Sequence, residues 1–455
     1  MHKTSAKKIL HTPQFDEAVR QIQDGGAFTF ITGRAGTGKS TLLRHVADTV
    51  ARTAPILAPT GIAALNVGGQ TIHRFFRFAP GITVHEARQK GVRADADVYQ
   101  RVDMIIVDEI SMVRADLFDC MDAFLRAVRQ DHRPFGGVRV VALGDLYQIP
   151  PVVTTRDKEA FSVSYETPYF FSSQVFRALL ASNAVSFVEL ETVYRQKDQS
   201  FIALLNGIRN RSISEKELAQ LNTRVSREAV PRDAVILTPT NDAAHALNTT
   251  RLNALAQKPH TFKAYVEGEC AERDMPTNPI LTLRRGARVM CVVNDPAERF
   301  VNGTLGTVQG FTKDDGDELV VQVLSDEGKK LEIGRYNWTI YKSTFNKKMR
   351  RLEQEPVGKF SQIPLQLAWA VTIHKSQGKS FDRVVLDLGT GAFASGQVYV
   401  ALSRCRTLEG LTLTKPVTLQ QIRLDSAIVR FLKELREPRM ETVKDPMEPV
   451  YVKED

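Results

Sequence analysis

The stretch "FTFITGRAGTGKSTLLRHV", residues 28–46, reads as a buried strand, a glycine-rich turn and the opening of a helix. From Gly33 to Ser40 the turn fits GxxxxGK[ST], and its position between strand and helix gives the match its weight. Glycines allow backbone N–H groups to point inward around phosphate oxygens, and the helix N-terminus adds partial positive charge. The expected cradle comprises Gly33, Ala35, Gly36, Thr37, Gly38, Lys39, Ser40 and Thr41. Lys39 faces the β- and γ-phosphates of ATP, and the Ser40 hydroxyl holds Mg²⁺.

Two further strands carry polar groups to the same region. "MIIVDEIS" (104–111) delivers two carboxylates at the end of an apolar run, which is costly unless a cation or a water uses them. Asp108 is placed to reach Mg²⁺, and Glu109 is the candidate base that orients the attacking water. "VVALGDLYQIPPV" (140–152) ends in a loop stiffened by Pro150 and Pro151. Ligands of parallel sheets sit at the carboxyl ends of strands, so the Gln148 amide can bond a γ-phosphate oxygen or the attacking water. Its loop can then report the nucleotide state. A plain turn before the prolines is the alternative.

The chain has 455 residues, 43% apolar and 25% charged, which calls for two or three domains of an ordinary soluble protein. A net charge of +9 leans toward a polyanionic partner. Four scattered cysteines show no metal or disulfide spacing and fit a reducing compartment. No apolar run suits a bilayer, so no membrane association is expected. Further apolar runs at 54–60, 234–240 and 383–389, alternating with helical patterns, predict parallel sheets buried on both faces. Between 284 and 360 short β-rich runs appear instead, with "SDEGKK" as a hairpin turn. The expected division is a first α/β unit over 1–185 and a second over 186–283 and 361–436. A small β-barrel at 284–360 interrupts the second, and a tail without regular structure covers 437–455.

The second unit contains "LETVYRQKDQSF" (190–201), "LAWAVTIHKSQGKSFDRVVLDLG" (367–389) and "VYVALSRCRTLEGL" (398–411). Taken alone, Arg195 and Arg404 would be surface ion pairs. Within these motifs, each is a candidate finger that stabilises γ-phosphate charge when the two units close. The ordered set GxxxxGKS, DEIS, GDxxQ, YRQ, HKSQG and VALSR resembles superfamily 1 helicases with two RecA-like motor domains. "DEISMVRADLFDCMDAFLRAVR" (108–129), with the GDLYQIPPV stretch, resembles the Pif (petite integration frequency) family of 5′-to-3′ DNA helicases, in subgroup B. That resemblance implies an ATP-hydrolysing motor with a Src-homology-like barrel inserted in its second domain. It implies that Gln14, in "HTPQFDEAV", binds adenine and that Gln377 and Gly378 link ATP closure to the DNA track. It further implies work on forks, G-quadruplexes and RNA–DNA hybrids, in replication, repair, recombination or telomere maintenance. A chain consisting of little but the motor points to a bacterial cytoplasm, or to a nucleus or mitochondrion in a eukaryote. A monomer is expected, with dimers on DNA left open.

For the track, "APTGIAALNVGGQTIHRFFRF" (58–78) offers Thr60 and nearby amides for phosphates, and His73, Phe75 and Phe76 for stacking on bases. Core packing is an equal reading for each phenylalanine. Thr238, Pro239 and Thr240 echo the first grip, with His374 and Lys375 close by. The poorly periodic segment 79–101 is the candidate strand-splitting wedge, or else an ordinary surface connection. A RecD-like, Dda-like or RNA helicase is the sibling alternative. A nucleotide-gated single-strand-binding module without unwinding is the alternative from another class.

Overall fold

The strand Phe28–Gly33 is buried at every position, as a central parallel strand covered on both faces must be. In the computed structural model it is part of a six-stranded sheet ordered Gln70–Thr71, Ile56–Ala58, Met104–Val107, Arg139–Leu143, Phe28–Gly33, Val185–Leu190, with every neighbouring pair parallel. A second parallel sheet is ordered Ala370–Thr372, Val235–Thr238, Val384–Leu386, Leu411–Leu413. These sheets and their helices are the first and second lobes. The structure describes residues 12–437 except 51–53, 80, 95, 154–157, 195–197, 227, 229–230, 232–233, 271–274, 298, 315, 347–350 and 390–393. The tail expected from 437 therefore lies almost wholly outside the described residues.

Between the strands of the second lobe runs antiparallel structure. A five-stranded sheet (Lys330–Ile333, Leu319–Ser325, Leu305–Lys313, Arg288–Cys291, Leu365–Leu367), a three-stranded sheet and a two-stranded pair are built around one apolar core. The hairpin at "SDEGKK" forms, with Gly328 at φ 80° in a turn between Leu319–Ser325 and Lys330–Ile333. Antiparallel pairing begins earlier than the sequence suggested, with His260–Lys263 and Tyr265–Gly268. Only Phe262 of the first of these strands is buried, so the usual alternation barely registers there.

Segment 79–101, poorly periodic in sequence, is nonetheless largely helical. It holds two helices, Val84–Arg93 and Ala96–Gln100, the first opened by a capping box between Thr83 and Glu86. The buried positions of the first helix are Ala87 and Gly91, and a Cβ on Gly91 would lie 2.5 Å from Phe124 O. An inward stripe of small residues gives close helix packing but almost no hydrophobic period, which is why the pattern was hidden.

The helix Ser426–Arg436 follows the last strand of the second lobe yet packs on the first. Phe431 stacks on Phe171 at 4.2 Å and reaches Phe176, Phe170 and Phe30, while Arg436 pairs with Glu189 at 2.8 Å. The chain thus leaves the first lobe after the strand Val185–Leu190 and returns to it through this strap. Among the described residues no helix is long and apolar enough to cross a membrane. Phe431→Ala should destabilise the protein by about 3–5 kcal/mol, the usual loss for truncating a buried phenylalanine. Urea denaturation followed by intrinsic fluorescence checks this, and an unchanged midpoint would show that the strap carries no load.

Candidate nucleotide site and nucleic-acid track

Gly36 and Gly38 have φ of 84° and 88°, conformations that L side chains avoid, and Gly38 caps the helix Lys39–Thr49. A Cβ on Gly33 would lie 2.6 Å from Thr37 Oγ1 and 2.7 Å from Leu190 O. The loop is therefore shaped by its glycines and braced from outside. Tyr194 N–H donates to Gly36 O at 2.8 Å, so the interlobe crossover is tied to the cradle. Lys39 Nζ donates to Gly33 O at 2.6 Å and Arg34 O at 3.0 Å. Burial pulls its pKa down, opposed by the carboxylates of Asp145, Glu109 and Asp108. Ser40 and Thr41 are exposed at the start of the helix. Gln14, in the first turn of the helix Pro13–Asp24, donates to Glu191 at 3.3 Å.

Asp108 is buried at the end of Met104–Val107, and burial, then the neighbouring Glu109 charge, pushes its pKa up to about 7. Glu109 adopts φ 51°, ψ 44°, a left-handed conformation that a non-glycine residue holds only under constraint from its surroundings. Gly144 makes that turn possible, since a Cβ there would meet Ile110 Cγ2 at 2.9 Å. Among the described residues no three His, Cys, Asp or Glu cluster as metal ligands. A dication here would draw on Ser40 and Asp108, with phosphate oxygens and water completing its shell, as suits Mg²⁺.

Gln148 is 5% exposed, and its Oε1 accepts from Gln377 Nε2 of the second lobe at a long 3.4 Å. Gly396, at φ 70°, is pressed against the same loop, where a Cβ would lie 2.3 Å from Tyr147 O and 2.5 Å from Gln148 O. Gly378 lies beside the first lobe at Asn66. Both motif glutamines thus meet at the lobe boundary.

Arg404 departs from the finger geometry. It is 1% exposed and donates to Val400 O at 2.9 Å, Ser403 Oγ at 2.7 Å, and Ser376 O and Lys379 O at 3.4 Å. In this arrangement its guanidinium braces the loop that carries His374 to Gly378. Arg195 lies outside the described residues. An arginine that does face the first lobe near the cradle is Arg209, whose Nη2 pairs with buried Asp145 at 3.1 Å and whose guanidinium lies 3.8 Å from the Tyr147 ring centre. Sequence reading missed Arg209 because a basic residue closing a helix looks like an ordinary C-terminal charge.

The track residues divide. Phe75 and Phe76 are 3% and 1% exposed and sit in an aromatic cluster with Phe78, Tyr99 and Phe124. The stacking role is corrected to core packing for both, since side chains buried among other rings offer no face to a base. Thr238 is also buried, its hydroxyl donating to Thr240 O at 3.2 Å, so its side chain is not a phosphate contact. Thr60 and Thr240 accept from Ala63 N–H and Ala243 N–H, opening their helices. His73, Pro239 and His374 are half-buried and Lys375 is exposed. Burial lowers the His374 pKa.

A PIF1-like helicase family profile matches residues 10–219. Over 399 residues the chain is 31% identical to the ATP-dependent DNA helicase Pif1 of Bdellovibrio bacteriovorus, covering 85% of this chain and 84% of that one. The chain belongs to the PIF1-like helicase family. It is 35% identical over 451 residues to human ATP-dependent DNA helicase PIF1, spanning 95% of itself and 66% of that protein. The crystal structure of Bacteroides sp. Pif1 in complex with ADP-AlF4 aligns with TM-score 0.83 and 34% identity over 93% of this chain and 97% of that one. Bacteroides Pif1 bound to ssDNA aligns with TM-score 0.66 and 32% identity over the same shares. The fold is accordingly α/β with parallel sheets, in keeping with the two RecA-like motor domains of PIF1-like helicases.

Gly396→Ala tests the lobe boundary. A methyl group there must displace the Tyr147–Gln148 carbonyls and adopt a left-handed backbone, at about 1–3 kcal/mol. The thermal transition should move down, and one that stays put would show that the two surfaces are not pressed together.

Proposed function

We propose that the protein is an ATP- and Mg²⁺-dependent DNA helicase that moves 5′ to 3′ along one strand and separates the other. The observation that carries this reading is the meeting of Gln148 with Gln377 and Gly396 at the lobe boundary. It links the loop beside the phosphate cradle to the second-lobe segment bearing His374 and Lys375. Lys39 and the loop amides hold the triphosphate, Ser40 and Asp108 hold Mg²⁺, and Glu109 takes the proton of the attacking water. Gln148 orients that water or the γ-phosphate. Arg404 and Arg195 act as fingers on reaching the phosphates, which for Arg404 means leaving its carbonyl partners as the lobes close. Gln14 reads the adenine.

Each lobe grips the backbone, through Thr60 and His73 in the first and Thr240, His374 and Lys375 in the second. A grip spacing that changes with nucleotide gives directed steps. Separating a base-pair step costs about 1.4 kcal/mol, well below what one ATP supplies. The segment 79–101, with its helices Val84–Arg93 and Ala96–Gln100, is the proposed wedge, and the antiparallel module is the inserted barrel of this motor. Forked duplexes, G-quadruplexes and RNA–DNA hybrids are its proposed substrates. The working unit on a single strand is a monomer.

The test is strand separation of duplexes tailed at either end. With ATP and Mg²⁺ the 5′-tailed duplex should be unwound and the 3′-tailed one left intact. Equal unwinding of both, or of neither, would overturn the reading. Glu109→Gln should lower turnover by about 10²–10⁴, the usual worth of a general base, and turnover near the wild-type rate would remove Glu109 from that role.

A further inference from the structure

We infer that Tyr399 is a positioning residue of the ATPase cycle, its hydroxyl joining the phosphate loop to the Asp145 loop across the lobe boundary. The inference rests on the helicase reading and adds to it a residue outside the contacts proposed there for nucleotide and DNA. Tyr399 lies on the second-lobe helix Gln397–Leu402 and is 3% exposed. Its Oη accepts from Ala35 N–H, inside the phosphate loop, at 2.9 Å, and donates to Asp145 Oδ2 at 3.2 Å. Asp145 Oδ1 takes Arg209 Nη2 at 3.1 Å and Tyr147 N–H at 3.2 Å. A single hydroxyl thus spans the two loops that must move together when a γ-phosphate is bound or lost.

The direction of the bond is fixed. Burial, then the Asp145 carboxylate, raises the Tyr399 pKa, so the phenol keeps its proton and can give it only to the neighbouring carboxylate. The chain of contacts also continues away from the cradle. Tyr399's helix runs into Ser403 and Arg404, and Arg404 holds the carbonyls of Ser376 and Lys379. Between them lies the segment with Gln377, adjoining His374 and Lys375 of the proposed track. Cradle, Asp145 loop and track segment are therefore joined through one short helix. A contiguous network of this kind is a route for coupling only if breaking it changes the coupling.

Tyr399→Phe keeps the ring and removes the bridge. In steady-state ATPase assays with saturating single-stranded DNA, kcat should fall at least about tenfold while KM for ATP stays within about threefold. Single-strand affinity without nucleotide should also stay within about threefold. A kcat within about twofold of wild type, with the wild type clearly stimulated by DNA, would overturn the inference and leave the helicase reading standing. A wild type that DNA fails to stimulate would overturn the helicase reading itself. Should the variant not fold, hydrogen exchange on the free wild-type chain decides. An Ala35 amide protected about tenfold or more over an unstructured chain supports the bridge, and an unprotected one overturns it.

Discussion

Asp145 has no exposure to solvent, and a buried carboxylate persists only where donors surround it. Its partners come from both halves of the molecule: Tyr147 N–H from its own loop, Arg209 and Tyr399 from the second lobe. Removing one partner of such a buried pair typically costs ~3–5 kcal/mol, because the remaining charge is stranded. The relative placement of the lobes is thus constrained by charge satisfaction as well as by apolar contact. Directional bonds of this kind hold one arrangement, whereas greasy surfaces can slide. The contacts of Gln377 with Gln148 and of Gly396 with the Tyr147–Gln148 carbonyls are placed by that anchor.

Around the anchor, burial holds charges in a costly state. Lys39 is pulled down by burial and leans on its own loop's carbonyls. Asp108 is pushed up by burial and by Glu109. On the proposed reading, a triphosphate would bring negative charge to the lysine and its dication would bring positive charge to the carboxylate, so binding the pair would relieve both costs together. In that reading the electrostatics would favour the metal–nucleotide complex over either component alone. The gain is largest where water is excluded, which is the boundary that the two lobes share.

Much of this was legible in the sequence, and the reasons differ by element. The parallel strands were visible because continuous apolar runs ending in Gly or acidic residues have few other readings. The cradle was visible because its glycines are demanded by backbone geometry, as Gly36 and Gly38 show. What escaped depended on partners far away in the chain. Nothing local distinguishes Arg209 from a surface arginine or Tyr399 from a core tyrosine until the fold brings Asp145 between them. Phe75 and Phe76 failed as base-stacking residues for the converse reason, since a loop rich in aromatics looks the same whether its rings face inward or outward. The helix Val84–Arg93 escaped because a stripe of Ala and Gly carries little hydrophobic signal, although it permits the closest packing.

The central claim is that two lobes close on one triphosphate and reopen when it is cleaved. Spin labels at Val92 in the first lobe and Leu419 in the second, 72% and 42% exposed, report the lobe separation directly by pulsed dipolar spectroscopy once half-buried Cys270 is replaced by serine. Closure predicts that the distance distribution shifts with magnesium and a non-hydrolysable ATP analogue and returns with ADP. One distribution shared by the free, triphosphate-bound and diphosphate-bound states would contradict it.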